Sequence, residues 1–270
     1  DEAAEVYETA LAKKGDYLPV LINYANLLKS RGNHDRAEAL YRRAIEVAPT
    51  FSPTYNNLAV LLKDQGRAEA ALALFEKSEE LDPAFVEGGS NRLFAMHYTP
   101  ARRPDDIARA HRDWNARHAA ELTRAAAPHD TDPSPDRRLR IGYVSPDFKA
   151  HSVSFFIEPV LEAHDRAGFE VFAYANQLGG DAVTARLRER TDHWREIDIL
   201  VDLAGHTARN RMTLFARKPA PVQMTWLGYP NGTGLDAIDY RITDAWADPP
   251  GMTEAFHAES LIRLDTGFLC

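Results

Sequence analysis

Cysteine is almost missing from this chain: Cys270 is the single one in 270 residues. That excludes an internal disulfide framework and fits a reducing, cytoplasmic setting. Long apolar runs are missing too. No stretch approaches the ~20 residues that a membrane-spanning helix needs. The first residues, DEAAEVYETA, lack the basic-then-apolar layout of a secretory signal. Positive charge is in deficit, with 32 Lys and Arg against 40 Asp and Glu and a formal net charge of −8. A bulk electrostatic grip on nucleic acid is therefore not expected. What is present is globular: 44% apolar and 27% charged residues, in a length that suggests about two domains.

The first third repeats itself. Residues 17–50 and 51–84 are both 34 residues long, and they share Pro19 and Pro53, Asn23 and Asn57, Ala25 and Ala59, Leu-Leu-Lys at 27–29 and 61–63, Gly32 and Gly66, and Pro49 and Pro83. The glycine separates two helices and the late proline ends the second. Small residues fall where paired helices approach, Ala25 against Ala37 and Ala59 against Ala71. This resembles the tetratricopeptide repeat, whose period is 34. Residues 1–16 read as the second helix of an earlier repeat and 85–98 as the start of another. A solenoid opening in mid-repeat lacks a polar cap, so the natural protein is expected to start earlier. Asn23, Asn57 and Asn91 recur every 34 residues and form a ladder on one face. A side-chain amide both donates and accepts, so the ladder suits either an extended peptide backbone or backbone groups between helices.

Residues 99–136 read as a linker helix and loop. Ile107, Ala110, Trp114 and Leu122 point to one side. His111 and His118 are seven apart, too far for a paired zinc-ligand geometry, and suit packing or solvation. Asp130-Thr131-Asp132 is a literal DxD, but it lies in a polar, proline-bearing boundary rather than after a strand, so no metal site is expected.

From residue 137 strands alternate with helices: strands over 139–144, 169–175, 198–205, 221–228, 239–243 and 261–264, and helices over 154–165, 182–190 and 210–218. This predicts a mostly parallel, doubly wound sheet, with ligands outside the carboxyl ends of the strands. His151 follows the first strand. Asp202 stands near the end of the third, where AGHT (204–207) brings Gly205, His206 and Thr207. GYPNGTG (228–234) follows the fourth. No GxGxxG follows the first strand and there is no P-loop lysine motif, so nicotinamide and P-loop sites are not expected.

Three runs carry a further likeness. LRIGYVSPDFKAHSVSFFIEPVL (139–161), DILVDLAGHTARN (198–210) and ARKPAPVQMTWLGYPNGTGLDAIDYRITDAWADPP (216–250) resemble the nucleocytoplasmic protein O-GlcNAc transferases and their Spindly-type relatives. The repeats with their asparagine ladder resemble the family's other half. The resemblance implies a helical repeat solenoid (1–98), a linker (99–136) and the Rossmann-like first lobe of a GT-B glycosyltransferase (137–270). It implies inverting, metal-independent transfer of N-acetylglucosamine from UDP-GlcNAc to Ser or Thr of proteins, with no cofactor.

By the same resemblance His151 is the active-site histidine. Leu227, Gly228, Tyr229 and Pro230 line the donor sugar, with Asp202, His206 and Thr207 beside them. Asn23, Asn57 and Asn91 grip the acceptor chain. Histidine suits a general base because its unperturbed pKa, ~6.5, lies near working pH, and it equally suits orienting the sugar by a hydrogen bond. The chain stops at GFLC, where the family continues into a second lobe with most nucleotide contacts. That lobe is expected in cis or as another chain, with protein acceptors along the solenoid and neither nucleic acid nor membrane as partner. Trp194-Arg195-Glu196 runs almost directly into the third strand, where the family usually has a helix. Two alternatives follow: O-fucosyl transfer from GDP-fucose, since the run 231–250 looks closer to the Spindly branch, and a non-catalytic repeat scaffold.

Overall fold

The computed structural model describes residues 2–132, 134, 136–175, 180–191 and 198–269. Trp194-Arg195-Glu196 lies outside the described residues. The chain divides into two compact units, Asp1–Arg103 and Pro104–Cys270.

The first unit is a run of helices: α1 (Glu2–Lys13), α2 (Leu18–Ser30), α3 (His34–Val47), α4 (Ser52–Asp64), α5 (Ala68–Leu81) and α6 (Val86–Met96). The 34-residue period reappears as two helix pairs, α2/α3 and α4/α5. Proline enters the first turn of α2 and of α4, where its missing N–H leaves no helical bond unmade. Gly32 and Gly66 leave those helices at φ 76° and 77°, the left-handed conformation that ends a helix cheaply only in glycine. Ala25, Ala37, Ala59 and Ala71 are all fully buried, so the repeat's small residues lie where the helices close on each other.

The second unit starts earlier than the sequence suggested. Helix α7 (Pro104–His118), read as part of a linker, belongs to it. Ile107, Ala110 and Trp114 on one face are buried, Trp114 to 1% exposure. A short α8 (Ala120–Arg124) follows, and Thr123 Oγ1 donates to Ala216 O at 2.9 Å. Then come β1 (Leu139–Ser145), α9 (Ser152–Ala163), β2 (Phe169–Ala175), α10 (Ala182–Glu189), β3 (Ile199–Asp202), α11 (Met212–Phe215), β4 (Val222–Thr225), β5 (Tyr240–Asp244) and β6 (Ser260–Leu264). Among the described residues they form one sheet in the order β2-β1-β3-β4-β5-β6, every neighbouring pair parallel. The last five residues of β1 are buried, as a central parallel strand requires.

Two strands end sooner than expected, for local reasons. β3 stops at Asp202 because its own carboxylate takes the N–H groups of Ala204 and Gly205 and bends the chain into a turn. β4 stops at Thr225 because Leu227 sits at φ 75°, outside the extended region and strained for a bulky side chain. The helix expected over 210–218 is a single turn, α11.

Candidate active site at the carboxyl edge of the sheet

β1, β3 and β4 are adjacent and parallel, so their carboxyl ends share one edge. His151 stands after β1 as the N-cap of α9, in extended backbone, and its Nδ1 accepts from Val153 N at 3.3 Å. The side chain is 42% exposed, with Asp147 Oδ2 3.9 Å from Nδ1. A backbone N–H on Nδ1 leaves the ring proton on Nε2. The nitrogen not used by the helix is therefore a donor. The approach to His151 is fixed in turn. Ala150 N donates to Asp181 Oδ2 at 2.8 Å, and Asp181 itself caps α10.

The other two strand ends are locked together. Asp202 is buried; its Oδ1 accepts from Ala204 N at 3.1 Å, and its Oδ2 accepts from Gly205 N at 2.7 Å and Thr225 Oγ1 at 2.9 Å. Burial pushes this carboxyl up to about 6, against the lowering effect of those hydrogen bonds. A Cβ on Gly228 would stand 2.0 Å from Leu203 O, and one on Gly205, at φ 52°, would stand 2.2 Å from Tyr229 Cβ. The loops after β3 and β4 thus touch closely, backbone to backbone at Gly228 and backbone to the Tyr229 side chain at Gly205, and only glycine fits at the two contacts.

His206 and Tyr229 face inward. His206 is fully buried and donates from Nε2 to Thr233 O at 2.8 Å. Its ring meets Trp114, His111 and Tyr229 at centroid distances of 4.7, 5.3 and 5.5 Å. The Tyr229 hydroxyl lies 2.9 Å from His111 Nε2, and His111 Nδ1 lies 2.8 Å from Ile107 O. A carbonyl only accepts, so Nδ1 carries the His111 proton and Tyr229 donates to Nε2. Burial holds the Tyr229 hydroxyl well above its ordinary range, so it remains a donor. The sequence offered Tyr229 as a sugar contact, with His206 beside it. Both rings pack toward α7, against His111 and Trp114, and Gly205 leaves the room that the Tyr229 side chain takes. Pro230 is exposed, while Leu227, Gly228 and Thr207 are half-buried, and Thr207 Oγ1 donates to Ala204 O at 2.8 Å.

Three residues of α7 were missed as part of the site: His111, Trp114 and Asn115, whose Nδ2 donates to Asp236 Oδ2 at 2.9 Å. Their shared helical face was visible, but not the loops it supports. In the first unit Asn23 is exposed and Asn57 and Asn91 are half-buried. Asn91 Nδ2 donates to Asn56 Oδ1 at 3.0 Å, and Asn56 Nδ2 to Asn57 Oδ1 at 3.4 Å. Part of the ladder's capacity is used within the repeats. Among the described residues no group of three or more His, Cys, Asp or Glu could hold a metal ion.

The family described as Glycosyl transferase family 41 matches residues 94–197 and 188–270, and tetratricopeptide repeats match residues 1–62 and 54–78. A Petunia hybrida protein named "Probable UDP-N-acetylglucosamine--peptide N-acetylglucosaminyltransferase SPINDLY" is 44% identical over 203 residues, 67% of this chain and 22% of that protein. A Caenorhabditis elegans UDP-N-acetylglucosamine--peptide N-acetylglucosaminyltransferase is 36% identical over 139 residues, 44% of this chain and 12% of the relative. A solved Thermobaculum terrenum O-GlcNAc transferase, the K341M mutant, superposes with a TM-score of 0.92 at 36% identity, over 98% of this chain and 54% of its own. The chain thus spans about half or less of the length of these relatives. With repeats in front and a match through most of its second unit, the chain belongs to glycosyl transferase family 41.

Proposed function

We propose that the protein containing this chain transfers N-acetylglucosamine from UDP-GlcNAc to Ser or Thr hydroxyls of proteins. The acceptor oxygen attacks the anomeric carbon, the bond from that carbon to the diphosphate breaks, and the centre inverts. The hydroxyl proton leaves to a base and UDP departs. The observation that carries this reading is the likeness of both units, over 98% of the chain, to the Thermobaculum terrenum O-GlcNAc transferase.

In this reading His151 acts first as a donor. Its cap bond keeps the proton on Nε2, which then hydrogen-bonds an oxygen of the sugar or of the acceptor hydroxyl. Serving as base would require His151 to give up the bond from Val153. Leu227, Gly228 and Pro230 form the wall toward the sugar, and Asp202, His206, Thr207 and Tyr229 shape that wall from behind. The asparagine ladder receives the acceptor peptide, Asn23 most directly because it is exposed. The nucleotide is held by a second lobe, in cis or on another chain. Asp130 and Asp132 precede β1, and Asp132 accepts from Ser134 N at 2.9 Å. That placement supports a reaction without metal.

The experiment is transfer by the full-length protein, with labelled UDP-GlcNAc or GDP-fucose and a cytoplasmic protein extract. Label from UDP-GlcNAc on Ser or Thr is expected. Label from GDP-fucose alone would assign the fucosyl reading, which the Spindly-like run at residues 231–250 favours. Label from neither would leave a scaffold.

A further inference from the structure

The loop after β4 is held from beneath by side chains that arrive from later in the chain. Arg241 on β5 is 3% exposed. Its Nη1 donates to Asn231 O at 2.6 Å and Tyr229 O at 3.4 Å, and its Nη2 to Pro230 O at 3.4 Å. Three consecutive carbonyls thus share one guanidinium. Its planar fork can serve them together, whereas a lysine ammonium is a single point. Arg241 Nε lies 3.4 Å from Asp248 Oδ2. The same carboxylate accepts from Thr243 Oγ1 at 2.5 Å and from His257 Nε2 at 3.0 Å. Burial pushes the Asp248 carboxyl up, but the hydrogen bonds from His257 and Thr243 and the charge of Arg241 outweigh it and hold it well below the usual range. It stays ionised and keeps Arg241 aimed at the loop.

A second hold lies at the far end of the loop. Glu259, 5% exposed, accepts at Oε1 from Thr233 N at 2.6 Å and from Thr233 Oγ1 at 2.5 Å. Its Oε2 and His257 Nδ1 are buried with no hydrogen-bond partner among the described residues, and a Cβ on Gly232 would come within 2.6 Å of each. The two holds therefore flank Gly232 from the same side. Arg241 and Glu259 bond the backbone of residues 229, 230, 231 and 233, which belong to the loop and not to the sheet ladder.

We propose that Arg241, Asp248, His257 and Glu259 are positioning residues that set the shape in which residues 228–233 meet the donor. This rests on the reading above that the loop lines the donor sugar. The sugar-facing wall is then specified by buried polar side chains within and beyond β5, none of which touches the sugar.

The test uses the full-length protein with three variants. Thr233→Val removes the hydroxyl at nearly constant shape, Thr233→Ser retains it, and Arg241→Lys keeps the charge but not the fork. Amide hydrogen exchange is followed in residues 231–235 and in β4 and β5, alongside donor KM and kcat. Thr233→Val and Arg241→Lys should each speed loop exchange and raise donor KM by about tenfold, as expected for losing a charge-assisted hydrogen bond. Strand exchange should stay unchanged and kcat should move less. Thr233→Ser should behave as wild type. Loop exchange at the wild-type rate overturns the proposal. So does exchange that quickens uniformly through the sheet with KM unchanged, because the network would then only support the fold. A wild-type protein that consumes neither donor refutes the functional reading, while loop exchange still decides whether these residues fix the loop.

Discussion

The segments that follow β1 and β4 leave the same sheet edge but are held by different means. The first reaches His151, which is half-exposed and caps its own helix through a single backbone bond. The second is sunk into the unit: Tyr229, Thr233 and their neighbour His206 are buried, His206 bonds Thr233, and further bonds arrive from α7, β5 and Glu259. Polar residues near a ligand edge thus divide into those available for chemistry and those spent on shape. Residue type does not distinguish them, since each group contains a histidine.

The sharpest break in this comparison is His151→Ala in the full-length protein. Transfer should fall by ~10²–10⁴-fold, the range of a well-placed proton-handling group, while the melting temperature moves little. Near-normal turnover would remove His151 from the site.

Next is the pH dependence of stability. The folded Asp202 carboxyl sits at about 6, above the ordinary 3.8 of an exposed aspartate. The folded state therefore binds the extra proton between these values. Asp202's contribution is full below pH 3.8 and is lost as pH rises through 6, about 3 kcal/mol in all. Asp248 and Glu254, whose values are lowered, act in the opposite sense at lower pH. Denaturant titrations of wild type and Asp202→Asn from pH 4 to 7 isolate the effect. The variant should lack the fall, and parallel curves would refute the assignment.

His206→Ala should cost about 2–3 kcal/mol of stability, the scale of emptying a packed ring site. This is the reverse of the His151 pattern. If activity per folded molecule drops as far as for His151→Ala, the division into chemistry and shape fails.

A smaller effect belongs to the repeats. Replacing Asn23, Asn57 and Asn91 together by Ala should raise the KM for protein acceptors and spare donor hydrolysis, each amide bond contributing ~0.5–1.5 kcal/mol. Equal damage to both activities would make the ladder structural, as the Asn91–Asn56–Asn57 chain is within the unit. The smallest expected effect is none: a chelator should leave transfer by the full-length protein unchanged, and rescue of lost activity by manganese would reinstate a metal.

Much of the architecture was legible because it follows from periodicity. The 34-residue repeat gave helix pairs, and alternating patterns gave the parallel sheet. Strand ends were less legible, since Asp202 ends β3 with its own carboxylate and Leu227 ends β4 by an unusual φ. The destination of α7 was not legible either. A helical stripe at Ile107, Ala110 and Trp114 shows that a face is buried but not against what. At the edge of the sheet the sequence supplied candidate residues but not their orientation: Gly205 leaves room for the Tyr229 side chain and Gly228 for Leu203 O, which no spacing rule expresses.

The cap at the start of α9 has a practical use. Histidine is not among the favoured N-cap residues, whereas asparagine is one of the best. His151→Asn should therefore preserve or strengthen the helix start while removing the imidazole. Under the role proposed for His151, such a protein would be folded but silent, and it could serve as bait that retains acceptors long enough to be recovered with them and identified.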